Sequence, residues 1–135
     1  MAEGLLNRAL REAGQNEIMV KSAGLDALVG EPPDKMAQSV MLEQGVDISS
    51  HRAQLVNRDL IYSADIILVM DEAHKHSLEA WEPSARGRIY RLGEWSRFDV
   101  PDPYRQTRDR FEVALKLINK GISDWMPILI GMDKK

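Results

Sequence analysis

The stretch FDVPDPYRQT, Phe98 to Thr107, sets one acid, Asp102, between Pro101 and Pro103. The two prolines remove two backbone donors and fix two φ angles, and each pushes the residue before it out of the helical region. Asp102 is therefore carried on a stiff, extended segment. A carboxyl group presented this way can give a proton to a bound substrate; the same Asp-Pro pair is also ordinary turn chemistry. Two features favour the first reading. The segment follows the last predicted strand, at the carboxyl edge where open α/β sheets place their sites. Tyr104 comes directly after it and offers an aromatic wall beside the acid.

Other chemistry-bearing residues are sparser. Ser22, in SAG, brings a hydroxyl to the same edge, or simply ends a strand. SSHRAQ contains His51 and Arg52, and a lone histidine is usually a surface or satisfied residue. His74 and His76 are two apart on a predicted helix, so they face different ways and have no third ligand for a metal site. The remaining acids read as solvated faces, and no glycine-rich nucleotide fingerprint is present.

The elements that position these residues follow from periodicity and caps. Leu5, Leu6, Ala9, Leu10 and Ala13 form a helical stripe over 2–13 that stops at Gly14; this helix begins bare, without a capping residue. EIMVKSAG (17–24) reads as a strand. Residues 32–47 form a helix with Pro33 in its first turn, Met36, Ala37, Val40 and Met41 on its apolar side and Gly45 at its end. Asn57 caps a short helix to residue 64. DIILVMD (65–71) is a continuous apolar run, the pattern of a strand buried on both faces. A helix at 72–81, a turn at 83–87 and a strand at 88–92 follow. Thr107 then caps a last helix, to about residue 126, with Phe111, Leu115, Ile118, Ile122 and Trp125 on one face. Strands alternating with helices predict a parallel α/β sheet covered on both sides.

Composition narrows the function classes. The chain has 135 residues, enough for one core. A net charge of −3 without a basic run argues against nucleic acid as a partner. No apolar stretch approaches the roughly 20 residues of a membrane span, and the first residues are too charged for a secretory signal, so the expected location is cytoplasmic. There is no cysteine, which excludes disulfides, thiolate metal sites and a cysteine nucleophile within these residues.

Taken together, MAEGLLNRAL, SAG, HRAQ, ADIILVMDEAH, LGEW and VPDPYRQT resemble, in order and spacing, the low-molecular-weight protein tyrosine phosphatases, from Met1 to about Trp125. LGEW…VPDPYRQT is most similar to the bacterial branch that works beside tyrosine kinases of polysaccharide export. The resemblance implies a single domain over 1–135 with a three-layer, flavodoxin-like parallel sheet. It implies hydrolysis of phosphotyrosine in proteins, such a kinase being a candidate substrate, through a phosphocysteine and without a cofactor. Asp102 would be the general acid, Tyr104 a wall against the phosphotyrosine ring, and Leu25 and Leu28 the opposite wall. Ser22 and His51 would brace the phosphate loop.

In the family a central strand and a Cys-x5-Arg loop precede a helix that starts much like MAEGLL. The resemblance thus implies that the strand, expected between 17–21 and 65–70, and the nucleophile and phosphate-gripping arginine are missing here, leaving an N-terminally truncated and inactive chain. The alternative is a non-catalytic phosphotyrosine-binding or regulatory module on the same scaffold, with Arg52 or Arg105 supplying the cation.

Overall fold

The computed structural model describes residues 1–25 and 29–133. Helix α1 (Ala2–Glu12) buries Leu5 and Leu10 and has no side-chain cap at its start. It ends where Gly14, at φ 74°, lets the Gln15 N–H donate to the Leu10 carbonyl at 2.9 Å, a left-handed glycine stop. Helix α2 (Lys35–Glu43) begins later than Pro33 alone suggests, because the Asp34 carboxylate accepts from the Met36 N–H at 2.8 Å. A side chain that satisfies an orphan helical donor sets the boundary more firmly than proline does.

Asn57 caps α3 (Arg58–Ser63) through the Leu60 N–H. Strand β1 (Ile67–Val69) leads into α4 (Glu72–Trp81), capped by Asp71 on the His74 N–H. A 3-10 turn at Pro83–Ala85 precedes β2 (Ile89–Arg91), and α5 (Arg108–Asp133) closes the fold. The Thr107 carbonyl accepts from Arg110 and Phe111 at the start of α5.

Strands β1 and β2 pair in parallel, with Ile67 opposite Ile89, Leu68 opposite Tyr90 and Val69 opposite Arg91. Alternation of side chains makes this ribbon the middle layer. Ile67, Val69 and Ile89 pack with Ile61, Leu78 and Ala85 on the α3–α4 side. Leu68 and Tyr90 pack against the larger core of α1, α2 and α5, which contains Leu5, Met41, Phe111, Ile118 and Trp125. The α/β class with helices on both faces of a parallel sheet is as expected.

Besides α2, other boundaries differ from expectation. Residues 17–23 form no strand; only Gly24 makes a bridge, to Leu55, and Met19 is 81% exposed. A strand is stabilised by cross-strand partners, and none of the described strands lies beside this segment. For the same reason DIILVMD keeps only three residues in ladder geometry, paired on one edge. In contrast, α5 runs through Pro127. Pro127 is exposed, and Leu129 beyond it is buried in the core, which offsets the lost N–H. No helix among the described residues is long and apolar enough to cross a membrane.

The approach of α5 to the end of β2 leaves no space for a side chain at Gly121. A Cβ there would stand 2.7 Å from Leu92 Cγ and 2.8 Å from the Leu92 carbonyl oxygen. Gly121→Ala should therefore destabilise the chain by about 1–3 kcal/mol in urea denaturation, although alanine is the better helix former by about 1 kcal/mol. A variant more stable than the parent would show that propensity outweighs packing here.

Candidate active site

The open start of α1 faces a cleft of about 520 Å³ whose lining includes Glu3, Gly4, Asn7, Arg11, Ser22 and His51. The first N–H groups of an α-helix have no partner within the helix and attract anions. Glu3, Asn7 and Arg11 are four apart and so lie on one face of α1, the face turned to this cleft. His51 Nδ1 stands 2.9 Å from Glu3 Oε2, which joins the first turn of α1 to the 46–51 segment. Glu3 is thus not the solvated acid the sequence suggests; its partner lies far away in the chain, and the i, i+4 polar stripe is the signal that could have marked it. Asp47, also on the lining, has its carboxyl held below the ordinary value by the Ser49 hydroxyl and N–H.

Ser22 and His51 are brought together on this lining. The Ser22 carbonyl accepts from Gln54 Nε2 at 2.8 Å, while its hydroxyl makes no hydrogen bond among the described residues. Beneath His51, Arg52 Nη1 donates to the carbonyls of Ser49 and His51 at 2.8 and 2.7 Å, so this cation is spent on its own loop. Leu25 is exposed on the turn after Gly24, and Leu28 lies outside the described residues.

Asp102 lies on the exposed loop between β2 and α5 and is not among the residues that line the cleft. Its Oδ1 accepts from the Tyr104 N–H at 3.0 Å, an Asx turn that fixes the carboxylate's orientation. Tyr104 is half-exposed, with the Arg105 guanidinium 5.2 Å from its ring centre in a cation–π contact. Arg97 and Arg105 both have positive φ, 58° and 59°, so the loop holds two non-glycine residues in left-handed geometry.

The whole chain, residues 1–135, matches the family described as "Low molecular weight phosphotyrosine protein phosphatase". It belongs to that family. It is 45% identical, over 94% of its length and 84% of the relative's, to the "Probable low molecular weight protein-tyrosine-phosphatase EpsP" of Ralstonia solanacearum. Among solved structures it resembles Vibrio vulnificus Wzb in complex with benzylphosphonate, with 36% identity, a TM-score of 0.84 and coverage of 92% of this chain and 85% of that one. It also resembles the Erwinia amylovora tyrosine phosphatase AmsI, with 34% identity, a TM-score of 0.86 and coverage of 94% and 82%. This phosphatase-family chain therefore has its flavodoxin-like architecture from both sequence and shape.

The unbonded hydroxyl of Ser22 separates a site role from a structural one. Ser22→Ala should leave thermal stability within about 0.5 kcal/mol, since no hydrogen bond is lost. Gln54→Ala removes the tie to the Ser22 carbonyl and should cost about 0.5–1.5 kcal/mol. Equal losses in thermal melts would mean that the Ser22 hydroxyl is bonded after all.

Proposed function

We propose that this fold serves hydrolysis of phosphotyrosine in proteins, with the phosphate seated at the N-terminus of α1 and Asp102 as general acid. The observation that carries the reading is the cleft at the bare start of α1, where Ser22 and His51 converge. Free N–H groups at a helix start suit a phosphate dianion. The hydroxyl of Ser22 and the Glu3–His51 pair would brace the loop that wraps it. A tyrosine leaving group has a pKa of about 10 and needs a proton as the P–O bond breaks. The rigid Pro101–Asp102–Pro103 segment suits the carboxyl to that transfer, and then to activating the water that cleaves the phosphoenzyme. Tyr104 and Leu25, with Leu28, would flank the aromatic ring.

The nucleophile of the family reaction is a thiolate, activated by the helix start and a nearby arginine. The 135 residues contain no cysteine, so on this reading they hold the acid half of the site and not the nucleophilic half. A protein phosphotyrosine substrate, such as a bacterial tyrosine kinase of polysaccharide export, and a cytoplasmic location are part of the same proposal, supported by the likeness to EpsP, Wzb and AmsI. The binding-module alternative is less well supported. Arg52 is engaged by two backbone carbonyls and Arg105 by Tyr104.

Two measurements test the proposal. The 135-residue chain should show no turnover of p-nitrophenyl phosphate above a heat-killed control; turnover that persists through repurification sinks the thiolate requirement. When a strand and a Cys-x5-Arg-Ser-Pro loop are joined ahead of Met1, activity should appear. In that protein Asp102→Asn should lower kcat on phosphotyrosine by roughly 10²–10⁴-fold with little change in KM, and by less on substrates with better leaving groups. A near-neutral Asp102→Asn would reduce the proline-flanked acid to a turn residue.

A further inference from the structure

Away from the cleft, charged side chains converge on Arg91, the last residue of β2. Its side chain is 15% exposed, and its fork faces three acids. Nη1 donates to Asp99 Oδ1 at 3.0 Å. Nε lies 3.4 Å from Glu72 Oε1 on α4, and Nη2 lies 3.6 Å from Glu94 Oε2 on the turn after β2. Lys75 Nζ is 3.9 Å from Glu94 Oε1, so Glu94 is itself held. Glu72 and Glu94 thus hold the guanidinium through longer ion pairs, with the buried Nε making no hydrogen bond among the described residues, and its hydrogen bond reaches out to Asp99 on the loop. Next to Asp99, the buried Val100 donates its N–H to the Met70 carbonyl at 2.8 Å, at the end of β1. Asp102 follows across Pro101, whose φ is fixed. The pair of anchors at 99 and 100 thus sets where the rigid segment leaves the protein.

We infer that Arg91 is a positioning residue for Asp102, acting through Asp99. The inference rests on the reading of Asp102 as the proton donor. The Arg91 fork meets an acid on α4 and two on the β2–α5 loop at once; a lysine offers only a point charge and cannot replace it. Asp99 is half-exposed, so its pair with Arg91 is worth little to global stability and acts on the loop alone.

Amide hydrogen exchange, followed residue by residue by NMR on the 135-residue chain, tests this. The reporters are Val100 and Tyr104; the Tyr104 N–H is bonded to the Asp102 carboxylate itself. Asp99→Asn, nearly isosteric and uncharged, should speed exchange at both by roughly 3–10-fold, and leave Ile118 and Ile122 in α5 unchanged. Asp99→Glu keeps the charge and should restore the parent rates. Arg91→Lys should match Asp99→Asn, and the double variant should add nothing further. Should Arg91→Lys fail to fold, the Asp99 variants carry the test alone. Unchanged rates at Val100 and Tyr104 in Asp99→Asn, or a rise shared equally by α5, would overturn the inference. Full activity of Asp102→Asn in the extended enzyme would instead refute the proton-donor reading, and leaves these rates untouched.

Discussion

The indole N–H of Trp125 is shared between two carbonyls, that of Arg91 at 3.2 Å and that of Leu92 at 3.0 Å. Trp125 is 1% exposed, with Tyr90 and Trp95 packed edge-on against it at 5.4 and 5.3 Å. A buried indole N–H must find an acceptor, and here it takes the carbonyls by which β2 ends. One turn earlier on α5, the bare Cα of Gly121 lets Leu92 lie against the helix. The loop that carries Asp102 begins at this contact and ends at Thr107, where α5 starts. Both ends of the loop are thus fixed by one docking of helix on sheet. The docking sets the span the loop must cross, and the prolines and Arg91 decide how it crosses.

The cleft at the start of α1 has a different origin. Helix α1 reaches its place by burying Leu5 and Leu10, and Gly4 lets it lie close to the next segment, with Ile48 Cγ2 3.0 Å from where a Cβ would be. This closeness brings Glu3 within reach of His51. Backbone geometry, not charge, places the Glu3–His51 contact, and the contact then fastens the mouth of the cleft. Burial on the α1 side and docking on the α5 side are separate, so the cleft and the Asp102 loop are positioned by different parts of one core.

Helices were legible in the sequence because their apolar stripes and caps are local. Asn57 is where the sequence puts a cap, and the stripe from Phe111 to Trp125 is buried throughout. Strands were less legible, since a strand depends on neighbours that its own residues do not specify. EIMVKSAG has strand-like composition and no strand. At α2, Asp34 prevailed over Pro33 because a capping bond is an energetic term and a permissive φ is only the absence of one. The stiff loop at Asp102 was legible in its two prolines, while the shared lining of Ser22 and His51 was implied by the family resemblance and not by either residue alone. The Glu3–His51 contact and the convergence on Arg91 were legible in neither way, because each joins residues from distant segments whose proximity is a product of the fold.

Arg97 and Arg105 hold left-handed geometry, which costs an L-residue other than glycine roughly 1–2 kcal/mol. Both sit on the loop between β2 and α5. Glycine or asparagine at either position removes that strain, at the expense of some chain entropy in the case of glycine. A laboratory selection for thermal resistance alone would thus draw substitutions toward this loop before it drew them to the packed helices. The loop would relax as the protein hardened, and a variant chosen for endurance would be the one in which the proposed acid is least firmly aimed.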